Sequence, residues 1–398
     1  MAELLVEFLS EEIPAWMQRR AADDLARLLA DGLKSANLDH DTIETFATPR
    51  RLAVRVDGLP LQQPTRQIER KGPRTDAPQK ALDGFLRSIA IPLEECEVRE
   101  DKKGRFYAAV WEETGRPTRE VLPEIIVAVA GELPWPKSMR WGQTTMRWVR
   151  PLHSMLAIYD GATLDGGLDI GGATLTFTDT TAGHRFHAPE RFSVNGASDY
   201  TEKLRAAKVI ADPQAREAEI RSQMAAACAA EGLAVPDDDA LFAEVTGLVE
   251  WPVVLVGDID PDFMALPPEV LISSMREHQK YFALHNADGG MAGRFAFVAN
   301  IEAADPAAVI AGNERVLRAR LSDAKYFWDQ DLKRPLEEMG AALDGIVFHA
   351  KLGTVGDKVA RVADLAGWFA AAIPGADAQA ATRAARLAKA DLVSGMGG

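Results

Sequence analysis

Between Pro134 and His153 the chain holds Lys137, Arg140, Arg147 and Arg150 and no acidic residue. Trp135, Trp141 and Trp148 are interleaved with them. Basic side chains contact phosphates and aromatic faces stack on unpaired bases, so this stretch fits a surface that holds RNA. It fits equally a turn whose tryptophans enter the core while its arginines are solvated. Arg50 and Arg51 form a second basic pair, in Thr48–Pro49–Arg50–Arg51. A third group lies in Glu244–Asp331. There Arg276 and Lys280 fall opposite an apolar stripe of Leu271, Met275, His278 and Phe282, spaced i, i+4, i+7, i+11 on one expected helix. Arg315, Arg318 and Lys325, with Ser322, run beside a stripe of Leu317, Leu321, Ala324 and Trp328 on another. Such faces are either solvated or held against a polyanion.

Other chemistries find less support. His184 and His187 stand at i, i+3, but no Cys, Asp or Glu joins them at ligand spacing, and a zinc site wants three or four ligands. Both are expected to be structural or exposed. His278, inside an apolar stripe, is expected to be a hydrogen-bonded core residue rather than a base. Asp237–Asp238–Asp239 lacks the alternation, glycine and closing glutamate of a calcium loop, and is expected to start a helix. Cys96 and Cys228 are far apart and are expected to be unpaired thiols in a cytoplasmic protein. Glu244–Asp331 contains no nucleophile, phosphate loop or metal cage.

These side chains must be positioned by a multidomain α+β chain. Its 398 residues allow two or three domains, and 47% hydrophobic with 26% charged residues is ordinary for a globular protein. The net charge of −14 argues against a simple basic nucleic-acid module, although screening leaves local patches their effect. No run of about 18 apolar residues predicts a membrane span. The start, MAELLVEFLSEEIP, is acidic and lacks the features of a signal peptide.

In order, a strand over ELLVEFL, a helix from Pro14 to Leu33 and β-rich pieces over TIETFATPRRLAVRVDGL are expected. Residues 62–80 are polar and proline-containing and read as a loop. It leads into an inserted subdomain, about 62–133, with a helix over Ala81–Ile89, a hairpin turning at Asp101–Gly104 and a helix from Thr118 to Leu133. Strands follow over Ala162–Thr178. A second α+β part spans about 196–335. It includes WPVVLVG as a buried strand, a hairpin turning at NADGG, and a long helix from Ala307 to Gln330. Residues 340–398 are Ala-rich and read as nearly all helix. They stop at SGMGG without a closing element, which suggests a domain cut short.

The segments FATPRRLAV, PKSMRWG, RWVRPLHSMLAIYDG, AGHRF, EVTGLVEWPVVLVG, LPPEVLISSMREHQKYF, VANIEAADPAAVIAGNERVLRARLSDAKYFWDQDL, KLGTVGDK and AKADL run through nearly the whole chain in order. They resemble the β subunit of bacterial heterotetrameric glycyl-tRNA synthetase. The resemblance implies a mixed-sheet α+β region over 1–335, akin to tRNA-binding or editing-like modules. An all-α domain resembling histidine–aspartate (HD) phosphohydrolases would then begin at 340–398. It implies an α2β2 assembly in which the class II α subunit uses ATP and Mg to form glycyl-adenylate. The β subunit, with no cofactor of its own and no membrane association, would help recognise tRNA(Gly). On this reading the cations named above become the candidate tRNA-binding set, this chain alone is inactive, and the family's anticodon-binding part is missing. Ala390–Asp391 stands where an HD protein has His-Asp, so His349 and Asp391 are the only suggestive residues for a metal-dependent phosphohydrolase. A purely structural module contacting the α subunit is the remaining alternative.

Overall fold

The run AELLVEFLS is apolar at six of nine positions and on both alternating faces, as expected of a strand covered on both sides. In the computed structural model, which describes residues 2–396, it is β1 (Ala2–Ser10). The chain divides into two units, one of residues 2–219 with 243–252, the other of 220–242 with 253–396. In the first unit β1 lies inside a mixed sheet. Its other strands are β2 (Thr42–Ala47), β3 (Arg51–Leu59), β7 (Leu152–Tyr159), β8 (Ala162–Thr163), β9 (Gly167–Asp169) and β10 (Thr174–Thr178). The order is β2-β3-β1-β7-β10-β9, with β8 beside β7. Pairing is antiparallel except between β7 and β10.

Side chains alternate across the sheet. Leu4, Val6 and Phe8 join Leu52, Val54 and Met155 in a core with α1 (Ala15–Ser35) and α3 (Thr118–Glu132). Helix α1 buries Met17, Ala21, Leu25, Leu29 and Leu33, a stripe at i+4 spacing. Leu5, Ala53 and Leu156 face the other way, against Tyr200 and Leu204 of α4 (Ala197–Ala206). A small sheet of β11 (Thr180–Ala182) and β12 (Arg191–Ser193) precedes α4.

Residues 62–80 are not a loop. Arg66–Arg74 form β4, which pairs with β6 (Gly104–Glu113), itself paired with β5 (Glu97–Asp101). Strand β4 is at the edge and most of its side chains are exposed, so it carries no apolar alternation. Pro73 falls at a register shift, where a missing N–H is tolerated. Helix α2 (Gln79–Ile89) lies against β4, and Gly72 approaches its Phe85 closely.

Helices α5 (Pro213–Glu231) and α6 (Asp239–Thr246) run across the division between units. The second unit has an antiparallel sheet ordered β13-β15-β16-β14, from β13 (Leu233–Ala234), β14 (Val253–Asp258), β15 (Phe282–Asn286) and β16 (Met291–Ala299). Helix α7 (Pro268–Ser273) does not continue to Phe282. Residues 274–279 form a π-turn, Lys280 turns the chain at φ 59°, and Phe282 opens β15. The single-face stripe expected for 271–282 is therefore broken, and His278 is exposed rather than in the core. Helix α8 (Pro306–Asp331) forms as expected. Asp305 caps it by accepting from Ala308 N–H at 3.2 Å, and Leu317 and Leu321 are buried against Phe295 and Phe297.

Residues 340–396 are mainly helical but not all helix. After α9 (Leu336–Ala341), β17 (Val347–His349) pairs with β18 (Gly353–Thr354). A Thr354–Asp357 capping box then starts α10 (Val355–Ala372), and α11 (Ala378–Leu387) follows. Helix α10 buries Val355, Val359, Ala363 and Ala370 while Leu365, Trp368 and Phe369 stay exposed. No helix among the described residues is long and apolar enough to cross a membrane.

Candidate nucleic-acid interface

Arg50 and Arg51 are neighbours of one type with opposite environments. Arg51 is 1% exposed. Its Nε lies 3.3 Å from Glu7 Oε2, its Nη1 lies 2.5 Å from Glu250 Oε1, and its Nη2 donates to the Ala182 carbonyl. Glu7 also accepts from Tyr200 Oη and Thr181 Oγ1, each at 2.6 Å, and Glu250 accepts from Thr48 Oγ1 at 2.7 Å. Burial would lower the Arg51 pKa, but Glu250 and Glu7 more than offset it and hold the guanidinium charged. Burial, with Glu7 beside it, pushes the Tyr200 phenol well above its usual value. Arg51 joins strands within the core and offers no donor to a polyanion.

Arg50 is partly buried beside that network. Its N–H donates to Thr48 Oγ1 at 3.1 Å and its carbonyl accepts from Ser10 N–H at 2.8 Å, so its backbone is fixed. Among the described residues its guanidinium has no hydrogen-bond or ion-pair partner, and Nε is buried. Burial, then the like charges of Arg185 and Arg51, lower its pKa against the pull of Glu250 and Glu11. Glu11 is already engaged. It lies 2.8 Å from His153 Nε2 and 3.0 Å from Arg185 Nη2, and the His153 and Arg185 contacts hold its carboxyl below the usual range against the effect of burial. Arg185 Nη1 also meets Glu12 Oε1 at 2.6 Å. Sequence reading missed Arg185 and His153, because no spacing links them to Arg50.

The loop carrying Arg185 is built on a buried histidine. The His184 N–H donates to the Ala207 carbonyl at 2.9 Å, and its Nδ1 accepts from Phe186 and His187 N–H at 3.3 Å each. The His184 ring is thus buried and hydrogen-bonded within its own loop, while His187 is partly buried. A Cβ at Gly183 would collide with the Ala188 carbonyl and lie 2.7 Å from Ala207 Cβ, so only glycine seats the loop here. Phe186 projects outward, 68% exposed.

In the 134–153 stretch the tryptophans belong to the core. Trp148 is fully buried, 5.2 Å from the ring of Phe8 and 5.1 Å from that of Trp135; Trp141 packs partly buried against the same core. Trp148 is therefore not available to stack on a base. A two-bond bridge between Met139 and Trp148 closes the stretch and leaves Lys137, Arg140 and Arg147 exposed around it. Arg147 donates to Ser138 Oγ and its carbonyl at 3.1 Å, and Arg150 donates to the Val149 carbonyl at 2.8 Å. The stretch therefore presents its cations at the surface and holds its tryptophans wholly or partly in the core.

In the second unit most candidates are paired. Arg276 Nε meets Asp238 Oδ2 at 2.6 Å and Nη1 meets Glu277 at 2.5 Å. Asp238 accepts from Leu241 N–H at 3.0 Å, so the aspartate triplet does start α6. Arg318 meets Asp260 at 2.7 Å and Lys325 meets Asp329 at 2.9 Å. Lys280 is partly buried, and Arg315 is exposed. Among the described residues no cluster of three or more His, Cys, Asp or Glu could hold a metal. His349 is exposed on β17 and accepts from Lys351 N–H. Cys96 and Cys228 are unpaired.

The described residues form mixed α+β units with exposed cations on their loops. Sequence comparison gives the particular family. The glycyl-tRNA synthetase beta subunit family model matches residues 4–398. The chain is 48% identical to the glycine–tRNA ligase beta subunit of Rhodospirillum centenum and 47% to that of Paracoccus denitrificans. It is 44% identical to that of Phenylobacterium zucineum. Each match covers 100% of this chain but only 58–59% of the relative. The chain belongs to the glycyl-tRNA synthetase beta subunit family.

Proposed function

We propose that the chain serves glycine–tRNA ligase as the part of its β subunit that supports tRNA(Gly) recognition and assembly with a catalytic α subunit, in an α2β2 enzyme of the cytoplasm. The observation that carries this reading is the family match over residues 4–398. ATP and Mg are used on the α subunit, and this chain supplies no adenylating group. Lys137, Arg140 and Arg147 are its best-placed phosphate contacts, because they are exposed and no acid pairs with them among the described residues. We place the domain division near residue 335, with 62–133 as an inserted subdomain, and read 340–398 as the start of an HD-like helical domain without a working metal site. Assembly is the second reading for residues 220–242 and 253–396, where Arg276, Arg318 and Lys325 are already neutralised by acids.

The test is glycine charging of tRNA by cognate α subunit with no β chain, with this chain, and with a full-length β chain. Charging that requires the full-length chain is the expected result. A competent α subunit that gains nothing from any β chain would overturn the assignment.

A further inference from the structure

We propose that the Arg50 guanidinium, with Arg185 close by, is an anion-receiving site that takes a backbone phosphate of RNA, an inference that rests on the tRNA reading above. The first unit otherwise satisfies its buried guanidiniums. Arg51 has two carboxylates and a carbonyl. Arg216, also fully buried, donates to the carbonyls of Thr246 at 2.9 Å, Ala47 at 2.8 Å, Ile210 at 2.5 Å and Ala211 at 3.3 Å. Arg50 is the exception, with a buried Nε and no partner among the described residues. The acids near it are spent on other cations, Glu250 on Arg51 and Glu11 on His153 and Arg185. A partly buried cation with no ion pair or hydrogen bond of its own is costly, and native folds keep few unsatisfied polar groups. A planar guanidinium binds phosphate oxygens well, and a fixed backbone at residue 50 lowers the ordering cost. RNA is favoured over an acidic protein segment because the Arg185 loop also presents Phe186, an exposed ring on which an unpaired base can stack.

The experiment uses the whole 398-residue chain as wild type, Arg50→Gln and, as a remote control, Arg27→Gln. Thermal unfolding is followed in chloride, acetate and inorganic phosphate at equal ionic strength, and tRNA(Gly) affinity is measured across salt. Phosphate should raise the midpoint of wild type and of Arg27→Gln above their chloride values, and not that of Arg50→Gln. In chloride Arg50→Gln should melt no lower than wild type, because it deletes an unpaired charge. Its tRNA affinity should fall roughly tenfold, as for one charge-assisted hydrogen-bonding group. Its salt slope should fall by about 0.7–0.9, one phosphate's worth.

An unchanged salt slope with phosphate protection lost would make this an anion site that RNA does not use, and would overturn the assignment to RNA. Acetate protecting as well as phosphate, with the slope unchanged, would assign the site to a protein carboxylate and overturn it likewise. No phosphate protection and no change in slope would remove the site altogether. If wild type binds no tRNA at any salt, the tRNA reading of this chain and the RNA phosphate fall together, and the phosphate arm alone decides whether Arg50 is an anion site.

Discussion

Replacing Arg51 by methionine leaves Glu7 and Glu250, both 1% exposed, in the core without their cation. Tyr200 and Thr181 still donate to Glu7, and Thr48 to Glu250, but each is a neutral hydroxyl. Breaking a buried ion pair by removing one partner costs about 3–5 kcal/mol, because a buried charge is stranded. Two stranded carboxylates place Arg51→Met at the upper end, near 5 kcal/mol by the same measure. That is a large part of the roughly 5–15 kcal/mol that holds a typical domain. The triple variant Glu7→Gln, Arg51→Met, Glu250→Gln removes every charge and should recover most of the loss, to within about 2 kcal/mol of wild type, since neutral replacements of buried pairs are often tolerated. The assay is urea unfolding, with hydrogen exchange at the β1 amides to report the first unit by itself. A loss under about 1 kcal/mol for Arg51→Met would contradict this account of the pair, as would a triple variant no more stable than the single one.

Two other predictions concern charge. Substituting Arg140 and Arg147 together by glutamine should weaken tRNA binding and flatten its salt dependence by up to about 1.8 in slope, two phosphates' worth; an unchanged slope removes that surface from the interface. Asp238 is held below its ordinary pKa, first by the Arg276 hydrogen bonds and then by backbone donors, against the effect of burial. A lowered folded-state value means a contribution that is present above the unfolded value of 3.8 and lost as pH falls through the folded one. Asp238→Asn, which keeps a good helix cap, should therefore cost stability at neutral pH and cost progressively less as the pH is taken to about 2.5. A deficit that is constant with pH, measured by urea unfolding, would contradict this.

Local pattern was enough to place β1, α1, the β5–β6 and β15–β16 hairpins, α8 and the aspartate start of α6. Each is set by a period, a turn or a cap within a few residues of itself. Strand β4 carried no such pattern, because an exposed edge strand is defined by the backbone of its partner β6. The helix expected through Phe282 ended early, because Tyr281 and Phe282 are claimed by the second unit's sheet and its aromatic core. The 134–153 stretch was legible as basic and aromatic, but whether Trp148 faced solvent depended on Phe8, far away in sequence. Arg50 and Arg51 make the division sharpest. Two adjacent arginines after a Thr-Pro turn are plain in the sequence. That one is neutralised by Glu7 and Glu250, 44 and 199 residues away, while the other has no ion pair, follows from long-range packing. Arg51 opens β3 while Arg50 lies in the bend before it, so neighbours in sequence meet different partners in space.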